Sequence, residues 1–123
     1  MKKRVLVIDD CSFFLRVISD QLENDFDVEA VDSGEKAIAL FDAAEVASQS
    51  DPYDLVITDL EMPGVNGFDV AKHIKGLNKF LPIVMLTEKE ITKQEAKEYG
   101  CATYFPKSDL DRVVSMTRAL FSK

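Results

Sequence analysis

Short apolar runs alternate along the chain with longer segments that repeat apolar residues at helical spacing. The short runs are rich in Val, Ile and Leu and end at Pro, Gly or acidic residues, which is typical of buried β-strands. They predict five strands, over residues 4–8, 28–31, 55–58, 82–86 and 102–105. The longer segments place apolar residues three and four positions apart, which predicts an amphipathic helix after each strand.

Polar and glycine residues mark the ends of these predicted helices. Ser12 and Asp109 stand where side chains cap helices, Ser33 opens the second helix, and Gly100 closes the fourth. The predicted helices cover residues 12–22, 33–44, 66–77, 91–99 and 109–121, and residues 47–52 form a polar loop. The residues that we expect to face inward are Phe13, Val17, Ile18 and Leu22, with Leu15 at the flank; Ala37, Ile38, Leu40, Phe41 and Ala44; Phe68, Val70, Ala71, Ile74 and Leu77; and Leu110, Val113, Val114, Met116, Thr117, Leu120 and Phe121.

Strict alternation of strands and helices predicts a doubly wound α/β domain. Strands joined by helices run parallel, with right-handed crossovers that place helices on both faces of the sheet. Strands covered on both faces are nearly continuous apolar runs, as these are. The sequence has neither an internal repeat nor a shift in composition, so we predict one domain over residues 1–123.

Composition limits the classes of partner. The net charge of −7 argues against direct binding to nucleic acid or to an anionic membrane, although a basic partner protein stays possible. No apolar run approaches the ~18 residues of a membrane span, and the run after the basic start is too short for a signal peptide. The two cysteines, Cys11 and Cys101, are far apart. We interpret them as reduced, buried thiols of a cytoplasmic protein.

Polar side chains stand at the ends of four predicted strands. Asp9 and Asp10 follow the first strand, Asp59 the third, Thr87 the fourth, and Lys107 lies just after the fifth. Ligands of parallel α/β sheets bind outside the carboxyl ends of the strands. We therefore expect these five side chains to meet at one edge of the sheet.

Such a group has a specific chemistry. Three neighbouring carboxylates repel one another unless a cation lies between them, and Mg²⁺ accepts carboxylates, a carbonyl, waters and a phosphate oxygen. Lys107 adds a positive charge and Thr87 a hydroxyl donor. An aspartate can act as a nucleophile and form an acyl phosphate, which requires positioning and charge neutralisation. We predict that Asp59 is the reacting group.

The motifs around these residues resemble a known family. They are VLVIDDCS at 5–12, VITDLEMPGVNGFD at 56–69, PIVMLT at 82–87, and Tyr104 with Lys107. Over essentially its whole length the chain resembles the receiver domain of bacterial two-component response regulators, and it is similar to single-domain chemotaxis-type regulators. This resemblance implies a flavodoxin-like (βα)5 fold with strand order 2-1-3-4-5. It also implies that a histidine kinase or phosphotransfer protein phosphorylates Asp59, and that the receiver catalyses both the transfer and its own dephosphorylation.

The resemblance implies a role for each metal ligand. Asp10 and Asp59 would bind Mg²⁺ directly, together with the backbone carbonyl of Glu61, and Asp9 would act through metal-bound water.

The resemblance also implies a conformational switch. Thr87 and Lys107 would each contact a phosphoryl oxygen, and movement of Thr87 would free space for an aromatic residue.

That aromatic residue is Tyr104 on the fifth strand. By resemblance, the surface formed by helix four, strand five and helix five would carry the signal to a downstream protein partner, and a homodimer is compatible with this arrangement. The chain departs from the family pattern at Glu88, where a small residue is usual, and at Ser108, where proline is common. Because Glu61 and Glu88 add negative charge near the site, we expect slow phosphorylation by small phosphodonors.

Two other functions stay open. The first is a pseudo-receiver, an interaction module that keeps the fold without being phosphorylated; the presence of all five site residues argues against it. The second is a metal-dependent hydrolase with an aspartyl nucleophile. Such enzymes usually carry both aspartates on one strand, whereas here Asp59 lies on a different strand from Asp9 and Asp10.

Overall fold

Five strands alternate with five helices in the computed structural model, which describes residues 2–49 and 52–122. The elements are β1 (Arg4–Ile8), α1 (Ser12–Leu22), β2 (Asp27–Val31), α2 (Gly34–Val46), β3 (Leu55–Asp59), α3 (Gly67–Leu77), β4 (Ile83–Leu86), α4 (Lys93–Glu98), β5 (Thr103–Phe105) and α5 (Leu110–Phe121). All five predicted strands and all five predicted helices are present. The middle of the predicted loop and both ends of the predicted domain lie outside the described residues.

The strands form one parallel sheet in the order β2-β1-β3-β4-β5. This order confirms the predicted flavodoxin-like α/β fold. The register aligns the strand ends, because Ile8 lies opposite Thr58, Asp59 opposite Leu86, and Leu86 opposite Phe105. The residues that follow β1, β3, β4 and β5 therefore reach the same edge of the sheet.

Each face of the sheet carries its own apolar layer, because successive side chains of a strand point to opposite faces. Leu6 and Val56 pack in the layer that contains buried residues of α2 and α3. Val7 and Ile57 pack in the other layer, with buried residues of α1 and α5. The continuous apolar strands of the sequence are thus explained by helices on both faces.

Three predicted inward residues are exposed instead. Leu77 and Leu120 lie at or next to the ends of their helices, and Phe13 is 75% exposed. The buried stripe of α1 is fixed by Ile18 and Leu22. Residues three and four positions apart share a helix face, so Phe14, four positions before Ile18, lies on that stripe and Phe13 does not. Phe14 packs against the apolar layer.

The predicted caps of α1 and α5 are also corrected. The residue before α1 is Cys11, whose side chain makes no capping bond, and Ser12 is the first helical residue. Asp109 occupies the position before α5 without capping it, and its carboxylate instead contacts Arg112 at 3.4 Å. Ser33 does cap α2 as predicted, by accepting a hydrogen bond from a backbone N–H at 3.1 Å.

The fourth helix is shorter than predicted. It spans Lys93–Glu98 and begins with a capping box in which Thr92 and Glu95 bond each other's backbone N–H groups. Ile91 lies before the helix as a buried loop residue. Gly100 follows the helix with φ of +82°, which is the left-handed conformation predicted for its end. The sequence pattern predicted a helix from Ile91 because an apolar residue at this spacing is expected to be buried on a helix. Ile91 is indeed buried, but it belongs to the loop that precedes the helix.

The structure also bears on the predictions about cysteines and membranes. Cys101 is buried, but Cys11 is exposed, so the prediction that both thiols are buried was wrong. Cys11 lies just before α1 and outside the apolar layers, whereas Cys101 lies between α4 and β5 and packs in the apolar layer of α2 and α3. None of the helices in the described part of the chain combines the length and apolarity needed to cross a bilayer.

Candidate functional site

Three aspartates meet at the carboxyl edge of the sheet. Asp9 and Asp10 follow β1, and Asp59 is the last residue of the neighbouring β3. One carboxylate oxygen from each lies within 4.8 Å of the other two. Asp9 is 1% exposed and Asp59 5% exposed, whereas Asp10 faces solvent. The structure therefore brings together the carboxylates that the strand ends predicted.

Gly67, the first residue of α3, packs against the backbone at the end of β3 and so helps to position Asp59. Its N–H donates to the carbonyl of Leu60 at 2.8 Å, which brings the start of α3 against the end of β3. A Cβ atom on Gly67 would lie 2.2 Å from the carbonyl oxygen of Asp59, far inside van der Waals contact. Only glycine therefore permits this approach of helix to strand. The Thr58 hydroxyl donates to the same carbonyl at 2.9 Å.

Lys107 reaches this cluster from the 3-10 turn that follows β5. Its Nζ lies 2.9 Å from Oδ2 of Asp9 and 3.2 Å from Oδ2 of Asp59. The same Nζ lies 4.7 Å from the ring centroid of Phe14, a cation–π distance. Sequence reasoning had missed Phe14; its position one helical turn before Ile18 was the available signal. Lys107 is thus held between two carboxylates and an aromatic ring.

The charges in the site are not balanced by Lys107 alone. Burial, with the negative charge of Asp9, raises the pKa of Asp59 from 3.8 to about 6, although Lys107 and a hydrogen bond from the Glu61 backbone lower it in part. Burial lowers the pKa of Lys107, but its contacts with Asp9 and Asp59 outweigh that effect and raise it overall. The site therefore favours additional positive charge.

The donor set fits a magnesium ion. Carboxylate oxygens are hard ligands, and Mg²⁺ is usually held by one or two of them while it keeps several waters. Asp9, Asp10 and Asp59 offer three such oxygens in one small region, and exposed Asp10 leaves room for water. Glu61 is exposed, and its backbone N–H bonds the Asp59 carboxylate, so this residue lies beside the cluster.

Thr87 and Tyr104 lie on the side of the site toward the sheet edge. Thr87 is buried and immediately follows Leu86, the register partner of Asp59. Its Oγ1 accepts a hydrogen bond from the backbone N–H of Lys89 at 3.0 Å, which leaves the hydroxyl hydrogen able to donate elsewhere. Tyr104 is half-buried in β5, opposite Met85, and packs against the apolar layer.

The residues that depart from the family pattern lie at the rim. Glu88 is exposed, as is Ser108. The turn Lys107–Asp109 is closed by the Asp109 N–H, which donates to the carbonyl of Pro106 at 2.9 Å. All described peptide bonds are trans, including the bond before Ser108. A short 3-10 turn therefore supplies the conformation from which Lys107 reaches the carboxylates.

Comparison with known proteins agrees with this geometry. The family model described as the response regulator receiver domain matches residues 5–118. Sporulation initiation phosphotransferase F of Bacillus subtilis is 27% identical over 117 residues, covering 92% of this chain and 89% of that protein. Other curated relatives are longer, and the chain spans 17% to 53% of the length of seven of them.

Solved structures give the same result. Chemotaxis protein CheY4 of Vibrio cholerae superposes with a TM-score of 0.82 at 26% identity, covering 98% of this chain and all of that one (100%). The response regulator protein TrrA of Thermotoga maritima, solved in complex with Mg²⁺-BeF, gives a TM-score of 0.81 at 29% identity, covering 97% and 99% of the two chains.

Proposed function

Because the chain belongs to the response regulator receiver domain family, we propose that it is a phosphoacceptor switch of a two-component or phosphorelay system. One observation carries this proposal. The buried carboxylate of Asp59 lies in a cluster with Asp9 and Asp10 and 3.2 Å from the ammonium of Lys107. This arrangement provides a nucleophile, a set of metal ligands and a countercharge at one place.

The donor would be a phosphohistidine of a histidine kinase or phosphotransfer protein. An Asp59 oxygen attacks phosphorus, so that a P–O bond forms while the P–N bond to the donor histidine breaks, and the released imidazole takes a proton from solvent. Lys107 already lies beside the nucleophile and can pair with a phosphoryl oxygen without a long movement. Oδ2 of Asp9 lies 2.9 Å from the same Nζ, so this ion pair keeps the Lys107 ammonium beside Asp59.

Asp9, Asp10 and Asp59 would hold Mg²⁺, with the Glu61 carbonyl as a further ligand. When bound, the ion neutralises charge that develops on the phosphoryl oxygens. The residues fit this role because their oxygens are close together, and because burial and the negative charge of Asp9 raise the pKa of Asp59, so that a nearby cation would favour its ionised form.

The switch would run from Thr87 to Tyr104. The free hydroxyl hydrogen of Thr87 can donate to a phosphoryl oxygen on Asp59, and its backbone N–H donates to the carbonyl of Phe105 in β5 at 3.1 Å. Movement of Thr87 is therefore transmitted to β5, where Tyr104 lies next to Phe105. The face formed by α4, β5 and α5 would then signal to a downstream protein. A cytoplasmic location and a homodimer stay predictions.

Phosphorylation can be tested with Mg²⁺ and acetyl phosphate, followed by intact mass. We expect the wild type to gain one phosphoryl group, Asp59→Asn to gain none, and Asp20→Asn, an exposed acid of α1, to behave as the wild type. If the wild type gains no phosphoryl group and beryllofluoride leaves its amide NMR spectrum unchanged, the pseudo-receiver is the better description.

The variant Glu88→Ala tests whether this exposed acid slows phosphorylation by small donors, and we expect acetyl phosphate to label it faster than the wild type. An unchanged labelling rate in Glu88→Ala would show that Glu88 does not restrict small donors.

A further inference from the structure

Large hydrophobic side chains are exposed at the edge of the sheet opposite the candidate site. Val46 ends α2 and is 87% exposed, Leu77 ends α3 and is 40% exposed, and Phe80, just after α3, is 82% exposed. They are three of the six large hydrophobic side chains that are exposed in the described part of the chain. From these helix ends the chain continues to the starts of β3 and β4, away from the carboxyl edge. Exposed hydrophobic residues grouped in this way are typical of interaction sites.

A small cavity opens between the same two helix ends. Its volume is about 160 Å³, and its apolar lining comes from Phe41, Ala44, Pro52 and Leu77. The ring of Phe41 is buried and forms part of the hydrophobic core beneath the cavity. A hydrophobic cavity of about 150 Å³ is large enough to hold a benzene ring. The cavity therefore has the size and the lining to receive one aromatic side chain.

Opposite charges lie beside the exposed ring and beside the cavity. The ammonium of Lys79 is 5.3 Å from the ring centroid of Phe80, so this cation accompanies the exposed ring. Glu45 lines the cavity and is exposed. Neither side chain lies within 4.0 Å of an opposite charge within residues 2–49 and 52–122. A Phe80 ring that entered the cavity of a second molecule would bring its Lys79 toward the Glu45 of that molecule.

We propose that this surface joins two copies of the chain about a two-fold axis, with Phe80 of each copy in the cavity of the other and Lys79 paired with Glu45 across the interface. A two-fold interface uses the same patch on both copies, so that patch must contain both a projecting part and a receiving part. Here Phe80 projects and the cavity receives. A strongly acidic or basic partner fits less well, because the surface offers one available cation and one available anion.

The proposed dimer should be weak and independent of phosphorylation. The net charge of −7 on each copy opposes association, although physiological salt screens charges beyond about 8 Å. The interface lies away from the face formed by α4, β5 and α5 and leaves Asp59 accessible at the carboxyl edge of the sheet. We therefore expect the same dissociation constant with and without Mg²⁺ and beryllofluoride, so the inference does not depend on the proposed function.

Sedimentation of the full chain from about 10 μM to about 1 mM, the range of weak complexes, tests the proposal. We expect an equilibrium between monomer and dimer. Phe80→Ser should weaken association by at least about thirty-fold, as expected for a buried aromatic residue at the centre of an interface. The matched control is Phe13→Ser, the same change at a phenylalanine of α1 that is 75% exposed, and it should associate as the wild type. Circular dichroism and urea unfolding should show that both variants stay folded.

A charge exchange tests which residues face each other. Lys79→Glu alone and Glu45→Lys alone should each weaken association about five-fold, because each puts like charges at both contacts of the dimer. An equal mixture of the two variants should associate as the wild type, since the mixed dimer has opposite charges at both contacts. A mixture no stronger than either variant alone would overturn the pairing.

The remaining outcomes concern the surface and its symmetry. A wild type that stays monomeric up to about 1 mM, where even millimolar complexes are populated, would overturn the dimer. Species larger than the dimer that grow with concentration would show head-to-tail contacts and overturn the two-fold axis. Amide NMR shifts on dilution should centre on Ala44, Leu77 and Phe80; shifts at β5 instead would overturn the choice of surface. If beryllofluoride fails to bind while this dimer forms, the dimer stands and the proposed function fails.

Discussion

Replacing Asp59 with asparagine should stabilise the metal-free protein. In the folded state the pKa of this carboxyl is raised from 3.8 to about 6, chiefly by burial and then by the charge of Asp9. Each tenfold change in a dissociation constant corresponds to about 1.4 kcal/mol, so ionised Asp59 costs the folded state about 3 kcal/mol at pH 7. Asparagine is nearly isosteric and uncharged. Because its amide pairs less well with Lys107, we expect a gain of about 1–3 kcal/mol in the free energy of unfolding.

The gain should depend on pH in a defined direction. A raised folded-state pKa means that the folded protein holds the Asp59 proton more tightly than the unfolded chain does. The stability contributed by this group is therefore fully present below about pH 4 and is lost as the pH rises through about 6. The difference between Asp59→Asn and the wild type should be small near pH 4 and reach its maximum near pH 7.

Urea unfolding in the presence of EDTA measures this difference. The matched control is Asp20→Asn, which removes an exposed carboxylate of α1 and should change stability by less than about 0.5 kcal/mol at every pH. Adding Mg²⁺ should reverse the order, because ligand binding stabilises by about 2.7 kcal/mol at a hundred times Kd, and the variant lacks one ligand. A variant less stable than the wild type at pH 7 in EDTA, or a difference that is flat with pH, would refute the electrostatic argument.

Three further predictions use the same fold. Gly67→Ala should destabilise the protein by about 1–3 kcal/mol and weaken beryllofluoride binding, because its Cβ would lie 2.2 Å from the end of β3; Gly76→Ala, on the same helix with open space around it, should instead be neutral or stabilising in urea unfolding. Lys107→Gln should destabilise the metal-free protein by about 3–5 kcal/mol, since two buried carboxylates lose their ammonium, and Mg²⁺ should restore a larger part of the stability than it adds to the wild type. Iodoacetamide should label exposed Cys11 quickly, while Cys101, whose pKa burial raises to about 11, should label only as urea unfolds the chain; peptide mass spectrometry follows both, and equal native rates would contradict the burial argument.

The periodicity of the sequence was enough to predict the architecture. Five apolar runs, each followed by a helical pattern, can be satisfied only by buried parallel strands with helices on both faces. That arrangement in turn brings the residues at the strand ends to one edge, which is why Asp9, Asp10 and Asp59 could be grouped from the order of the elements alone. Their roles as metal ligands and phosphoacceptor stay predictions until they are tested.

Only the tertiary structure decided which neighbours each side chain has. The sequence did not show that Phe14 rather than Phe13 faces inward beside Lys107, or that Cys11 is exposed. It did not show that α4 is a helix of six residues or that a small cavity opens between the ends of α2 and α3. Local patterns report how apolar residues are spaced, but burial and charge pairing depend on residues far apart in the chain. These contacts are fixed only when helices dock on the sheet. The hydrophobic pattern alone therefore determined the alternation of parallel strands and helices, the family resemblance supplied the strand order, and the docked helices determined the environment of the site.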